Sequence, residues 1–429
     1  MMELRKVLLA AAAAVALSGC ASLQAQAPVA GHVDPARIDA VLKGYTDAGK
    51  LVGASALVTQ DGKETYFGAY GMADREAGTK MARDTIVSIY SMTKPVTGTA
   101  LMTLWEAGKF RMDDPVAKYI PELANVKVYA GKDAAGNPIL VAPNRPMTIR
   151  DLTRHTAGLT YCGADNLPEL KAGCDAADPL ANTHSLDDFA KALGTLPLEF
   201  QPGEKWRYSF AVDVQALLVQ RISGKPFAEY VQEKVLKPLG MKDTGFFVPE
   251  EKRARLAAIY NWIGDGQFVR KEGDKSIQIN TGHYPLTPGG FGLTSTLDDY
   301  SRFARMLVNG GELDGVRILK TSTVRTMTSN QLDPAITDRI WLKADKGEVG
   351  FGVDGAVRTD PPSTPDGKAG EVGEYFWDGA AYTLFWIDPK NKLTAVFFTQ
   401  YQPFGKVKAH AAFRAAVYEG VDPSALPPK

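Results

Sequence analysis

Ser91-Met92-Thr93-Lys94 sets a hydroxyl and an amine three residues apart. On a helix that spacing leaves two side chains about 60° apart in azimuth and about 4.5 Å apart along the axis, so the lysine touches the serine oxygen. A serine hydroxyl is a weak nucleophile until a neighbour accepts its proton, and a helix N-terminus turns backbone N–H groups toward a developing oxyanion. The chemistry on offer is acyl transfer. The tetrad is not sufficient alone, because in a chain with fifteen serines about one such pairing arises at average lysine usage. Two further stretches supply partners. In Phe200 to Ser209 a Pro202-Gly203 turn delivers Tyr208 just ahead of a helix. A phenol titrates at about 10 and serves as a base near neutrality only if a cation such as Lys94 stabilises the phenolate. The plain alternative is a half-buried tyrosine with a satisfied hydroxyl. In Glu374 to Ala381 a glycine-containing strand start aims a backbone N–H at a substrate oxygen, and with the Ser91 N–H it completes an oxyanion hole. Such a donor commonly contributes about 3 to 4 kcal/mol. An ordinary inner strand is the alternative there.

These residues need elements to position them. Ile38, Val41, Leu42 and Tyr45 recur at helical spacing, and the strand-like runs Ser55 to Gln60 and Lys63 to Tyr70 are separated by Asp61-Gly62, a hairpin signal. Met92 to Ala107 reads as an apolar-faced helix ended by Gly108, with Ser91 at its beginning. The middle of the chain is helical: Ser185-Leu186-Asp187-Asp188 is a capped start, Ala211 to Ile222 is stopped by Gly224, and Phe227 to Leu239 is stopped by Gly240. Thr296 caps a further helix that runs to Asn309. Strand-like Ala380 to Ile387 and Leu393 to Thr399 follow, joined through Asp388-Pro389-Lys390-Asn391, and an amphipathic helix lies around Val407 to Tyr418. Sheet signals at both ends and helices between them predict an α+β fold, an antiparallel sheet flanked by helices with an inserted mostly helical domain. The expected division is an α/β lobe over 35–112, a mostly helical lobe over 113–285 and the rest of the α/β lobe over 286–429.

With 429 residues, 45% hydrophobic and 23% charged, the composition is that of a globular protein. Lysine and arginine number 49 against 49 acidic residues without a long run of one sign, so no nucleic-acid footprint is implied. Arg5 and Lys6 precede the apolar run Val7 to Leu17, shorter than the roughly 20 residues that span a bilayer, and residues 1–19 read as a signal peptide. Leu17-Ser18-Gly19-Cys20 resembles a lipobox, with Cys20 lipidated and residues 20–34 forming a tether. The alternative is cleavage after Ala25-Gln26-Ala27 and a free periplasmic protein. Export as an envelope lipoprotein leaves 47 basic against 48 acidic residues, a balance of −1. Membrane contact is then through the anchor alone. Cys162 and Cys174 are close enough in sequence to pair in an oxidising compartment, or they remain free thiols. His32, His155, His184, His283 and His410 lie in no metal-ligand pairing, so neither a metal nor another cofactor is implied.

Ser91-Met92-Thr93-Lys94, Tyr208-Ser209 and Trp377-Asp378-Gly379 come in the order and spacing of the three motifs of the serine β-lactamase and penicillin-binding protein superfamily. The chain looks most like the family VIII carboxylesterases, which share the class C β-lactamase fold. Ser88-Ile89-Tyr90, Thr153 to Leu159 and Gly289 to Ser295 support the likeness, which covers roughly residues 35 to 420. The resemblance implies Ser91 as acylated nucleophile, Lys94 as its proton partner, Tyr208 as base for acylation and activator of the deacylating water, and the Ser91 and Ala380 N–H groups as oxyanion donors. Lys94 and Tyr208 form a coupled pair, and either takes the first proton. Two departures bear on substrate binding. Phe210 stands where β-lactamases carry an asparagine, and Trp377 replaces the lysine that attracts a β-lactam carboxylate. Asp378, where glycine is more usual, adds a like charge, so with Gly379 this subsite favours a neutral ligand.

A small neutral ester is therefore the expected substrate of a serine carboxylesterase. The alternatives are a β-lactamase or D-amino-acid peptidase, and a catalytically silent envelope-binding module, against which the intact Ser91, Lys94 and Tyr208 argue. No serine sits in a G-x-S-x-G elbow, which disfavours a Ser-His-Asp hydrolase. His155 reads as a structural helix-end residue and Asp213 as a hydrogen-bonding residue of helix or loop.

Overall fold

The computed structural model describes residues 33–163, 167–264, 266–340, 342, 346–362 and 369–418. Cys20, the signal peptide and nearly all of the tether lie outside these residues. Helix α1 (Pro35–Asp47) begins where Asp34 accepts the Ala36 N–H and a proline occupies the first turn, and it buries Ile38, Val41, Leu42 and Tyr45. Strands β1 (Gly53–Gln60) and β2 (Lys63–Asp74) pair antiparallel around Asp61 and Gly62, at φ of 50° and 76°. Two consecutive left-handed residues are what a two-residue hairpin matched to strand twist requires.

The sheet continues with β3 (Thr79–Lys80) on one side and, on the other, strands from the far end of the chain: β4 (Val349–Phe351), β5 (Ala356–Arg358), β6 (Tyr375–Asp378), β7 (Leu384–Asp388) and β8 (Leu393–Phe398). The order is β4-β5-β6-β7-β8-β1-β2-β3, antiparallel at each pairing, with Ser55 opposite Phe398 where the two ends of the chain meet. Every residue of β1 is buried, so both faces of the sheet are covered at this strand.

Seven helices carry labels here. After α1 come α2 (Thr93–Glu106), α3 (Ile149–Thr153), α4 (Leu186–Leu193), α5 (Ala211–Ser223), α6 (Leu297–Val308) and α7 (Ala409–Tyr418). Helices α1 and α7 pack together, with α1 against β1 and β2, while α6 packs on β1, β7 and β8. Local signals set the helix ends. Ser185 and Asp188 form a capping box on α4, Thr296 caps α6, and Gly224 closes α5 at a φ of 71°. The α2 and α5 helices pack on each other, and α5 also packs on α3 and α4. Cys162 and Cys174 are joined with their Cα atoms 5.3 Å apart, tying the helix Pro168–Ala177 to the segment that follows α3.

The run expected as one strand from Ala380 to Ile387 divides. Trp377 and Asp378 end β6, and Ala380 to Thr383 form the turn into β7. Tyr382 adopts a left-handed φ of 65° and donates its N–H to the Gly379 oxygen at 2.8 Å, which reverses the chain. Hydrophobic patterning did not reveal this turn, because Ala381 and Tyr382 are buried although they leave the sheet.

Candidate active site

Ser91 lies in a 3₁₀ turn, Tyr90–Met92, that runs directly into α2. Tyr90 holds a left-handed φ of 45°, a strained state for a residue with a large side chain, and its hydroxyl is fixed 2.7 Å from Asp274 Oδ1. Segment Gly289–Ser295 braces this turn and the helix behind it. The Ile89 N–H donates to Leu293 O at 3.1 Å, the Leu293 N–H donates to Thr93 Oγ1 at 3.1 Å, and Thr97 Oγ1 donates to Gly289 O at 2.8 Å. Tyr300 from α6 adds a 2.8 Å bond to Met92 O. The nucleophile's turn is thereby held from three separate parts of the chain, by the side chains of Asp274 and Tyr300 and by the backbone of Gly289–Ser295.

Lys94 is fully buried on the first turn of α2, and its Nζ donates to Ser91 Oγ at 3.2 Å and to Gly290 O at 2.8 Å. The i, i+3 geometry expected from the tetrad is realised. Burial brings the Lys94 ammonium down to about 8, against the opposing pull of Asp213, Asp354 and Asp378. Tyr208 stands just ahead of α5. Its ring lies 4.5 Å from Lys94 Nζ, and its hydroxyl bonds Ser91 and accepts from Trp377 Nε1 at 3.1 Å. Burial pushes the Tyr208 phenol up, which the Ser91 and Trp377 bonds offset only in part. Near neutrality the tyrosine is therefore a phenol and the lysine the more readily deprotonated of the two.

Four aromatic groups hold the tyrosine ring, with Trp206 stacked on it at 6.2 Å. His155 packs 4.9 Å away, Tyr161 5.5 Å and Trp377 5.4 Å between centroids. His155 follows α3 at a left-handed φ of 56°, hydrogen-bonds Ser209 Oγ through Nδ1 at 3.1 Å, and accepts the Arg207 N–H on its carbonyl at 2.9 Å. Burial, then the nearby Lys94, holds the imidazole well below its usual range, so it stays neutral. The histidine ends a helix, as read from the sequence, and also shapes the Tyr208 pocket.

Behind Lys94 lie two carboxylates that the sequence reading did not bring together. Asp213 on α5 accepts the Gly290 N–H at 2.9 Å, and burial raises its carboxyl to about 6. Asp354, which follows β4 at a left-handed φ of 59°, accepts from Gln215 at 2.8 Å, and burial pushes it well up. Two glycines make the room. A Cβ at Gly290 would sit 2.9 Å from Asp213 Oδ2, and one at Gly98, a turn beyond Lys94 on α2, would sit 2.6 Å from Asp354 Oδ2. A glycine inside a helical run is the one local signal that marked this cluster. Asp213 thus does more than bond a loop, since its charge faces the lysine.

The third motif also arrives at the site. Trp377 is buried and donates to Tyr208, and Gly379 lies against Ile89 O, where an added Cβ would be 2.3 Å away. Ala380 is exposed in the turn beside Ser91's segment. Two expectations are corrected. Phe210 does not line the Ser91 cleft. It is 2% exposed, caps α5 and packs in the core at 4.9 Å from Tyr161 and 6.0 Å from Phe189. Asp378 does not present a bare negative charge, because Lys346 pairs with it. That partner lies 32 residues away in sequence, with no local pattern to announce it. Among the described residues there is no group of three or more His, Cys, Asp or Glu side chains fit to hold a metal ion.

Serine, lysine, tyrosine and a tryptophan N–H thus form one connected set capable of acyl transfer. The profile of the family named Beta-lactamase matches residues 38–419. Protein Rv1367c of Mycobacterium tuberculosis is 36% identical over 389 residues, covering 87% of this chain and 92% of that protein. Esterase EstB of Burkholderia gladioli is 30% identical over 386 residues, covering 85% and 90%. The structure of EstCE1, described as a hydrolase with promiscuous acyltransferase activity, superposes with a TM-score of 0.73 at 25% identity, covering 90% of this chain and 98% of that one.

Proposed function

Because the chain belongs to the β-lactamase family, and its relatives support serine hydrolase activity, we propose that it is a serine carboxylesterase cleaving small neutral esters through a Ser91 acyl-enzyme. Neutral Lys94 takes the Ser91 proton as Oγ attacks the ester carbonyl. The Ser91 and Ala380 N–H groups receive the oxyanion, and Tyr208 passes a proton to the departing alkoxide. The Lys94 ammonium then reprotonates the Tyr208 phenolate; water attacks the acyl carbonyl and gives its proton to the pair, and the pair passes a proton to Ser91 Oγ as the acid departs, which restores Ser91. The single observation that carries the ester reading is the Trp377 Nε1 bond to Tyr208 OH at 3.1 Å. At the third motif a neutral donor occupies the position where the resemblance expects a lysine, so that position supplies no cation to draw an anionic substrate, and the nearby Lys346 is already paired with Asp378.

A second reading, hydrolysis of β-lactams or D-alanyl peptides, is favoured by one feature: Lys346 neutralises Asp378, which lowers the barrier to an anion. A silent binding module is disfavoured by the connected Ser91, Lys94 and Tyr208. Export as an envelope lipoprotein anchored at Cys20 belongs to the same proposal.

The test is to assay the lipid-free mature protein on nitrophenyl esters of graded chain length, a chromogenic cephalosporin and D-alanyl peptides, with Ser91→Ala alongside. Ester turnover abolished in Ser91→Ala is expected. Cephalosporin turnover far above that on every ester would overturn the substrate assignment.

A further inference from the structure

Lys346 reaches the third motif from outside all three motifs. Its Nζ pairs with Asp378 Oδ2, with the two side chains 7% and 14% exposed. The same nitrogen lies 5.4 Å from the centre of the Trp377 ring and 4.8 Å from the centre of the Phe404 ring. Trp377 in turn donates to the Tyr208 hydroxyl. The ammonium is thus a junction of three separate stretches: the end of β6, the segment before β4, and the loop that carries Phe404.

The placement of this junction matters. Asp378 is one residue from Trp377 and two from Ala380, and Ala380 and Phe404 are both exposed. Phe291, half-buried, packs with the cluster of Tyr90, Ile259 and Ala381. Ala380, the assigned oxyanion donor, is two residues from Asp378, so the Lys346–Asp378 pair and the Phe404 ring stand at the same end of β6 as that donor. Removing one partner of a mostly buried ion pair strands the other charge, a large effect compared with an exposed pair. A cation between two rings adds attraction that depends on the same position.

We propose that Lys346, by pairing with Asp378 and lying between the Trp377 and Phe404 rings, is the residue that sets how large an ester group the site admits beside the third motif. This rests on the Ser91 esterase reading. It also gives Asp378 a purpose where glycine is more usual: glycine has no side chain to hold the cation, and that side of the mouth would stand open. With the pair intact, long acyl chains are turned away and short ones are accepted. With it broken, the Phe404 loop loses its hold on β6 and the wall yields.

The test compares wild type with Lys346→Met, which keeps an unbranched stem between the rings but loses the charge, and with Asp378→Asn. A reversed pair, Lys346→Asp with Asp378→Lys, is the third variant. The readout is the ratio of kcat/KM for nitrophenyl decanoate to that for nitrophenyl butyrate, measured on one sample so that the fraction of folded enzyme cancels. Each single variant is expected to raise the ratio about tenfold, roughly 1.4 kcal/mol of altered discrimination, and the reversed pair to bring it back toward wild type. A ratio unchanged in both single variants, or a reversed pair as permissive as they are, would overturn the proposal. Hydrolysis persisting in Ser91→Ala would sink the reading of the site instead, so the two failures are distinct.

Discussion

Asp213→Asn removes a charge that faces Lys94 while leaving an oxygen to accept the Gly290 N–H. Lys94 Nζ is 2.8 Å from Gly290 O, and Asp213 Oδ1 is 2.9 Å from Gly290 N. The two charges therefore flank one residue, and a separation on the order of 7 Å is assumed for a Coulomb estimate. At an effective dielectric constant of about 20, that separation corresponds to about 2.4 kcal/mol of attraction, between one and two pH units. The sign follows from the groups around the ammonium. Asp213, Asp354 and Asp378 all favour the charged lysine and burial opposes it, while His155 is neutral and Tyr208 and Tyr161 are phenols near neutrality. Loss of the Asp213 charge moves the lysine further below about 8, so the acidic limb of the kcat/KM profile shifts to lower pH by one to two units. At pH 7, where Asp213, raised to about 6, is still mostly ionised and about one wild-type molecule in ten carries a neutral Lys94, the variant gains in its share of competent base. The plateau falls, because a weaker base removes the serine proton less readily. The assay is kcat/KM for nitrophenyl butyrate from pH 5 to 9. A limb that stays in place, or moves to higher pH, would refute the assignment of Lys94 as the base or of Asp213 as its counter-charge.

Two further outcomes follow from the geometry. Trp377→Phe keeps a ring against Phe351 and Tyr208 but removes the Trp377 indole donor to the Tyr208 hydroxyl; a bond to a group that gains charge contributes about 1.5 to 3 kcal/mol, so kcat is expected to fall about 10- to 150-fold with KM little changed, by steady-state kinetics. Replacing both Cys162 and Cys174 by serine opens a link of sequence separation 12 and is expected to lower unfolding free energy by about 3 kcal/mol in the chain-entropy model, read from urea midpoints of the oxidised and variant proteins.

What the sequence made legible was local. The Ser91 to Lys94 spacing, the Asp61-Gly62 hairpin and the caps at Ser185 and Thr296 each depend on residues within a few positions of one another, and each is found in place. The supporting stretches Thr153 to Leu159 and Gly289 to Ser295 were visible as likeness only. Their physical task, packing His155 on Tyr208 and bracing α2, needed the fold. Phe210 was misread because position relative to Tyr208 in sequence does not say which way a helix-capping side chain turns, and here the core took it. Asp354 and Lys346 were beyond reach, being 260 and 252 residues from Lys94, with no periodicity or motif linking them to it. Long-range electrostatics is written in the tertiary structure, and the charge state of the lysine depends on it.

The central claim is a covalent acyl group on Ser91. Intact-mass measurement of the enzyme quenched in acid during turnover of a slowly hydrolysed ester, followed by peptide mapping, tests it directly. The account predicts a mass gain equal to the acyl group, located on the peptide containing Ser91 and absent from Ser91→Ala. Turnover without any adduct, or with the adduct on another residue, would contradict it.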